Sequence, residues 1–77
     1  MSNHCGDVLI HIDENLDDKS IREIEYDISQ ISGVYSACVH QNARHLMLVD
    51  YDPLGVEAGA LLAQVRDHGV HAELIGL

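Results

Sequence analysis

Six histidines lie in a sequence of 77 residues, and their places along the chain say more than their number. His11 stands near the end of a first alternating run, with Asp13 two residues on. His40 and His45 flank a short polar turn, Gln41-Asn42-Ala43-Arg44, and His68 and His71 straddle the entry to the last alternating run. Neutral imidazole with carboxylate is a borderline-to-hard donor set, suited to Zn(II), Ni(II), Co(II) or Cu(II) rather than Cu(I). The expected metal site therefore joins His11, His71 and the carboxylate of Asp13, with His40 or His45 as a further ligand. The alternative is a set of surface histidines at strand ends that titrate near neutrality and hold nothing.

A second nitrogen site is written at the start of the chain. Removal of Met1 before the small Ser2 would leave an amine two residues from His4, and amine, two amides and imidazole can wrap a square-planar Cu(II) or Ni(II). Cys5 adds a soft donor beside it. The opposing expectation is a flexible terminus over residues 1–7.

The elements that must position these side chains follow from hydrophobic spacing. Val8, Ile10 and Ile12 alternate with Leu9, His11 and Asp13, the period of a strand buried on one face. Asp17 or Asp18 can cap a helix over about 19–31, where Ile21, Ile24, Ile28 and Ile31 recur at three and four. Ser32-Gly33 ends that helix. Residues 34–40 and 45–51 form a hairpin rich in β-branched and aliphatic side chains. A breaker, Asp52-Pro53-Leu54-Gly55, precedes a second helix over about 56–68 that buries Leu61, Leu62 and Val65, and residues 70–75 alternate as a last strand.

The order β-α-β-β-α-β in one domain over residues 1–77 predicts an α+β ferredoxin-like sandwich. Its four-stranded antiparallel sheet runs in the order 4-1-3-2, with both helices on one face. Val8, Ile10, Ile12, Val34, Ala37, Val39, Met47, Val49, Tyr51, Ala72 and Leu74 then point at the helices. Leu9, Cys38, Leu46, Leu48 and Ile75 point away, and so large an open apolar set suits a homodimer or a partner-protein contact.

Composition narrows the function. Thirteen acidic residues against four basic give a formal charge of −9, which repels nucleic acid and anionic membranes and attracts cations or a basic protein surface. No apolar run is long enough to span a bilayer, and the first residues lack the order of a leader, so a soluble, cytoplasmic chain without membrane insertion is expected. Two cysteines, Cys5 and Cys38, make no disulfide framework. Nothing in the spacing pairs a nucleophile with a base, and no Gly-rich phosphate loop is present, so no enzyme is expected. The acidic loop Asp13, Glu14, Asp17 and Asp18 lacks the central Gly of a calcium loop and reads as a solvated helix entry.

Three framework segments carry a family resemblance. Ser32-Gly33-Val34 opens the second strand, Val49-Asp50-Tyr51-Asp52-Pro53 closes the third, and His68-Gly69-Val70-His71-Ala72 enters the last. In these the chain resembles heavy-metal-associated domains, the small modules of copper chaperones and metal-pumping ATPases, from about Val8 to Leu74. That resemblance implies metal trafficking through a Met-x-Cys-x-x-Cys loop after the first strand. Counted back from Gly33 without a gap, Asn15 stands for the Met, and Asp17 and Ser20 stand for the two Cys. The resemblance thus implies the scaffold without the Cu(I) thiolate pair. It leaves two functional expectations, a metal-binding domain using His and Asp, or a metal-free interaction module using Leu9, Leu46, Leu48 and Ile75.

Overall fold

The computed structural model describes residues 6–76. β1 (Gly6–Ile12) takes in residues 6 and 7, and residues 1–5 lie outside the described residues. α1 (Asp18–Ser29) follows a short loop, and Asp17 is its N-cap: the carboxylate accepts from the amide of Ser20 at 2.9 Å, which satisfies one free donor of the first turn. This bond also holds the Asp17 carboxyl below its ordinary value. Ile21, Ile24 and Ile28 form the buried stripe. Ile31 lies beyond the end of the helix but still packs against the core.

β2 (Val34–His40) and β3 (Ala43–Tyr51) form the hairpin, whose turn is two residues, Gln41 and Asn42, because His40 pairs with Ala43. α2 (Ala58–Arg66) is shorter than its apolar pattern at both ends, and β4 (Ala72–Gly76) starts two residues later than expected. Leu61 and Val65 are fully buried, while Leu62 packs at the margin of the core. All strand pairs are antiparallel, in the order β2-β3-β1-β4, which is the expected 4-1-3-2 read from the other side.

The core lies between the helices and one face of the sheet. Val8, Ile10, Ile12, Met47, Val49, Tyr51 and Ala72 meet Ile21, Ile24, Ile28, Leu61 and Val65 there, and no charged residue is buried with them among the described residues. Leu74 shares their side of β4, opposite Ile10, but sits on the outermost strand and stays partly exposed. Ile75 falls in the register shift between Leu9 and Ile10, whose partners are Gly76 and Leu74.

Gly33 ties two framework segments together. Its φ of 97° is left-handed, and a Cβ there would come within 3.1 Å of Val56 and 3.2 Å of the Gly55 backbone. Its carbonyl accepts from the Asp52 amide at 2.7 Å. The entry to β2 and the breaker after β3 are thus one packed unit.

Candidate functional site

Where β1 ends and the hairpin turns, two imidazoles meet. His11 and His45 stack with ring centroids 5.8 Å apart and planes 18° apart. His11 Nδ1 lies 3.1 Å from Asp13 Oδ1, and His45 Nδ1 lies 2.6 Å from the carbonyl oxygen of Ile12. Both partners only accept, so each Nδ1 carries the hydrogen and donates it. Each neutral ring then keeps its lone pair on Nε2, and neither Nε2 is hydrogen-bonded among the described residues. An imidazole oriented through Nδ1 by a carboxylate or a carbonyl is the arrangement that fixes a metal-binding histidine.

His45 reaches this place through an irregularity in β3. Strict alternation would put it on the helix face with Met47 and Val49. The β2–β3 register shifts between Val39 and His40, so Ala43 lines the same groove as Leu46, while Arg44 turns to α1 and donates to Asp18 Oδ1 at 2.6 Å. The turn therefore delivers His45 to His11. Sequence spacing alone had no means of choosing between His40 and His45.

The other predicted ligands go elsewhere. His11 pairs across the sheet with Glu73, not with His71, since the late start of β4 places His71 opposite Asp13, whose amide donates to the His71 carbonyl at 2.8 Å. His71 Nδ1 instead lies 2.6 Å from Glu14 Oε2, and its amide donates to Glu14 Oε1 at 2.8 Å. This pairing raises the His71 pKa and lowers that of Glu14, the side-chain hydrogen bond being the main cause of both. His40 accepts from the Asn42 amide through Nδ1 at 3.2 Å and closes the turn. His68 is drawn away from that end to α1, its Nε2 lying 2.8 Å from Asp27 Oδ2. Gln64 donates to the same oxygen at 2.9 Å, and Gln64 first, then His68, holds the Asp27 carboxyl down. His4 and Cys5 lie outside the described residues.

The expected set of His11, His71, Asp13, His40 and His45 thus divides. His11, Asp13 and His45 come together, and His71 and His40 do not join them. No group of three or more His, Cys, Asp or Glu among the described residues is arranged to hold a metal, so His11 and His45 offer two nitrogens and Asp13 orients one of them. The loop positions that stand for the two thiols, Asp17 and Ser20, are joined by the helix cap.

Beyond His11, the open face of the sheet carries an apolar groove. Leu9, Leu46 and Leu48 line it with Cys38, a free exposed thiol, and Ala43. Ile75, expected on the same surface, does not line it.

No family model matches the sequence, and no curated protein matches it. Solved structures do. The chain is similar to the N-terminal domain of a potential copper-translocating P-type ATPase from Bacillus subtilis, in its Cu(I)-loaded state, at 24% identity and a TM-score of 0.84, covering 94% of this chain and 89% of that one. The apo copper chaperone of Enterococcus hirae gives 22% identity and a TM-score of 0.79 over 88% of this chain and 98% of that one. A copper binding domain from HMA7, a P-type ATPase, gives 18% and 0.82 over 91% and 93%. The fold is of the heavy-metal-associated type. Likeness at this identity establishes architecture, and the donor set has to be argued from this chain's own side chains. No helix among the described residues is long and apolar enough to cross a membrane.

Proposed function

We propose that this chain is a small, non-catalytic, cytoplasmic metal-binding domain that takes a divalent transition metal through Nε2 of His11 and Nε2 of His45, and not Cu(I) through a thiolate pair. One observation carries the reading: two imidazoles 34 residues apart in sequence, stacked and both locked as the Nδ1–H form, with their Nε2 lone pairs uncommitted. The likeness to copper-binding domains supports metal handling as the use of this scaffold. The sequence offers no Cys-x-x-Cys, and Asp17 and Ser20 serve the helix. Zn(II), Ni(II), Co(II) and Cu(II) accept imidazole readily, and water or a donor from another molecule would complete the shell.

Calorimetric titration with each of these ions and with Cu(I) tests the reading. The expected result is binding of at least one divalent ion on the order of micromolar, about 8 kcal/mol. His11→Ala and His45→Ala should each weaken it about tenfold or more, and His71→Ala should leave it unchanged. Binding no tighter than about millimolar, about 4 kcal/mol, would overturn the proposal. So would Cu(I) binding that survives replacement of both histidines.

A further inference from the structure

The two faces of the sheet differ in charge as well as in cover. Of the four cationic residues, Lys19 and Arg22 are on α1 and Arg66 is on α2, all on the helix side. The fourth, Arg44, is the one cation on a strand, and it turns to Asp18 and to the Leu16 carbonyl. The apolar groove of Leu9, Cys38, Ala43, Leu46 and Leu48, bounded at the turn by His40 and Asn42, is therefore lined by no Lys or Arg. Carboxylates flank it. Asp7 and Asp50 are paired in register one row beyond Leu9 and Leu48, and Glu73 lies opposite His11 on the other side.

The edges of the sheet are less available than its face. Glu25 on α1 accepts from the outward amide of Val39 on β2 at 2.7 Å, and Arg66 on α2 donates to the outward carbonyl of Ala72 on β4 at 2.9 Å. A strand adding to either edge would have to displace a charged side chain. The open face needs no such displacement.

We propose that this face docks a basic, apolar segment of another protein, with aliphatic or aromatic side chains in the Leu9–Leu46–Leu48 groove and Lys or Arg beside the exposed Asp7 and Glu73. Charge decides the occupant. A second copy of this chain would set the same carboxylates against one another and bring no cation, at a formal charge of −9 per copy. Nucleic acid and an anionic lipid surface meet the same repulsion. The inference does not rest on the metal reading, and because a divalent ion at His11 would set a cation beside Glu73 it is tested on the metal-free chain.

The test is a titration of the isotope-labelled full chain, followed by NMR, with a synthetic peptide that alternates Leu and Lys. Peptides of the same length alternating Leu with Glu and Ser with Lys serve as controls. The Leu-Lys peptide should shift the amides of Leu9, Cys38, Leu46 and Leu48, and its affinity should fall about tenfold when salt rises from about 0.03 M to about 0.3 M. Leu48→Lys, at a half-exposed position, and Asp7→Lys, in an exposed one, should each weaken it by a similar factor with the fold intact. Equal binding of the Ser-Lys peptide, equal binding of the Leu-Glu peptide, or shifts confined to the helices would each overturn the proposal. It would also fail if sedimentation showed the chain alone to be a dimer that Leu48→Lys dissociates, because the face would then be covered by a second copy.

Discussion

Neighbouring residues of the same strands tell the two faces of this sheet apart. Val8 and Ile10 are wholly buried and Leu9 between them is not; Met47 and Val49 are wholly buried while Leu48 between them is 46% exposed. The side chains are of one chemical kind on both faces. What separates them is that α1 and α2 cover one face and leave the other. No charged residue is buried on the covered face among the described residues, and the open face combines aliphatic side chains with carboxylates and histidines. Burial by the helices holds the fold together, and the uncovered apolar residues are where the molecule has affinity to spare.

The largest effects should fall on the covered face. Ile10→Ala removes a wholly buried side chain from the centre of β1 and should cost about 2–5 kcal/mol, seen as a lower urea midpoint with an unchanged slope. Leu48→Ala, directly across from Leu9 on the open face, should cost less than about 1 kcal/mol. Equal costs for the two would abolish the distinction, since they would mean that the open face is packed in solution.

How far the sequence revealed this arrangement depends on the range of each signal. Alternation at Val8, Ile10 and Ile12, the spacing of Ile21, Ile24 and Ile28, and the breakers at Gly33 and Pro53 are local patterns, and each located its element. The family resemblance rested on the same framework, and the Gly33–Gly55 approach, with the Asp52 amide donating to the Gly33 carbonyl, shows why two of its three segments go together. The site was less legible because it depends on register. A shift between Val39 and His40 brings His45 to His11, and the late start of β4 carries His71 away from it. Glu14, which captures His71 from 57 residues away, and Asp27, which captures His68 from 41, had no local mark at all. A one-residue slip changes which face a side chain occupies, and no short-range pattern records it.

The edges of the sheet sharpen the comparison at an intermediate scale. Glu25→Ala leaves the outward amide of Val39, a residue only 9% exposed, without its acceptor, at a cost of about 1–3 kcal/mol. Arg66→Ala removes a donor from the Ala72 carbonyl at an exposed arginine, where water can replace it, so about 0.5 kcal/mol is expected. Hydrogen exchange separates the two edges directly. The Val39 amide should lose protection in Glu25→Ala and keep it in Arg66→Ala. Retained protection in both would mean that the β2 edge is covered by something other than Glu25.

The smallest effect belongs to His71 and Glu14 at the entry to β4. The folded-state pKa of His71 is raised above its ordinary 6.5, so its share of the stability is fully present below 6.5 and fades as pH rises through the raised value. Glu14 is lowered from its ordinary 4.5, so its share is fully present above 4.5 and fades as pH falls through the lowered value. Both shares describe one interaction, so the pair stabilises most between 4.5 and 6.5, with stability rising with pH on the acid side and falling on the alkaline side. Both groups meet solvent, and salt should flatten this dependence. Glu14→Gln should return the NMR titration of His71 towards 6.5 and remove the dependence, while leaving metal binding at His11 and His45 unchanged. Loss of metal binding in that variant would put His71 and Glu14 back into the site, and would mean that the two ends of the β1–β4 pairing act together and not as separate histidine centres.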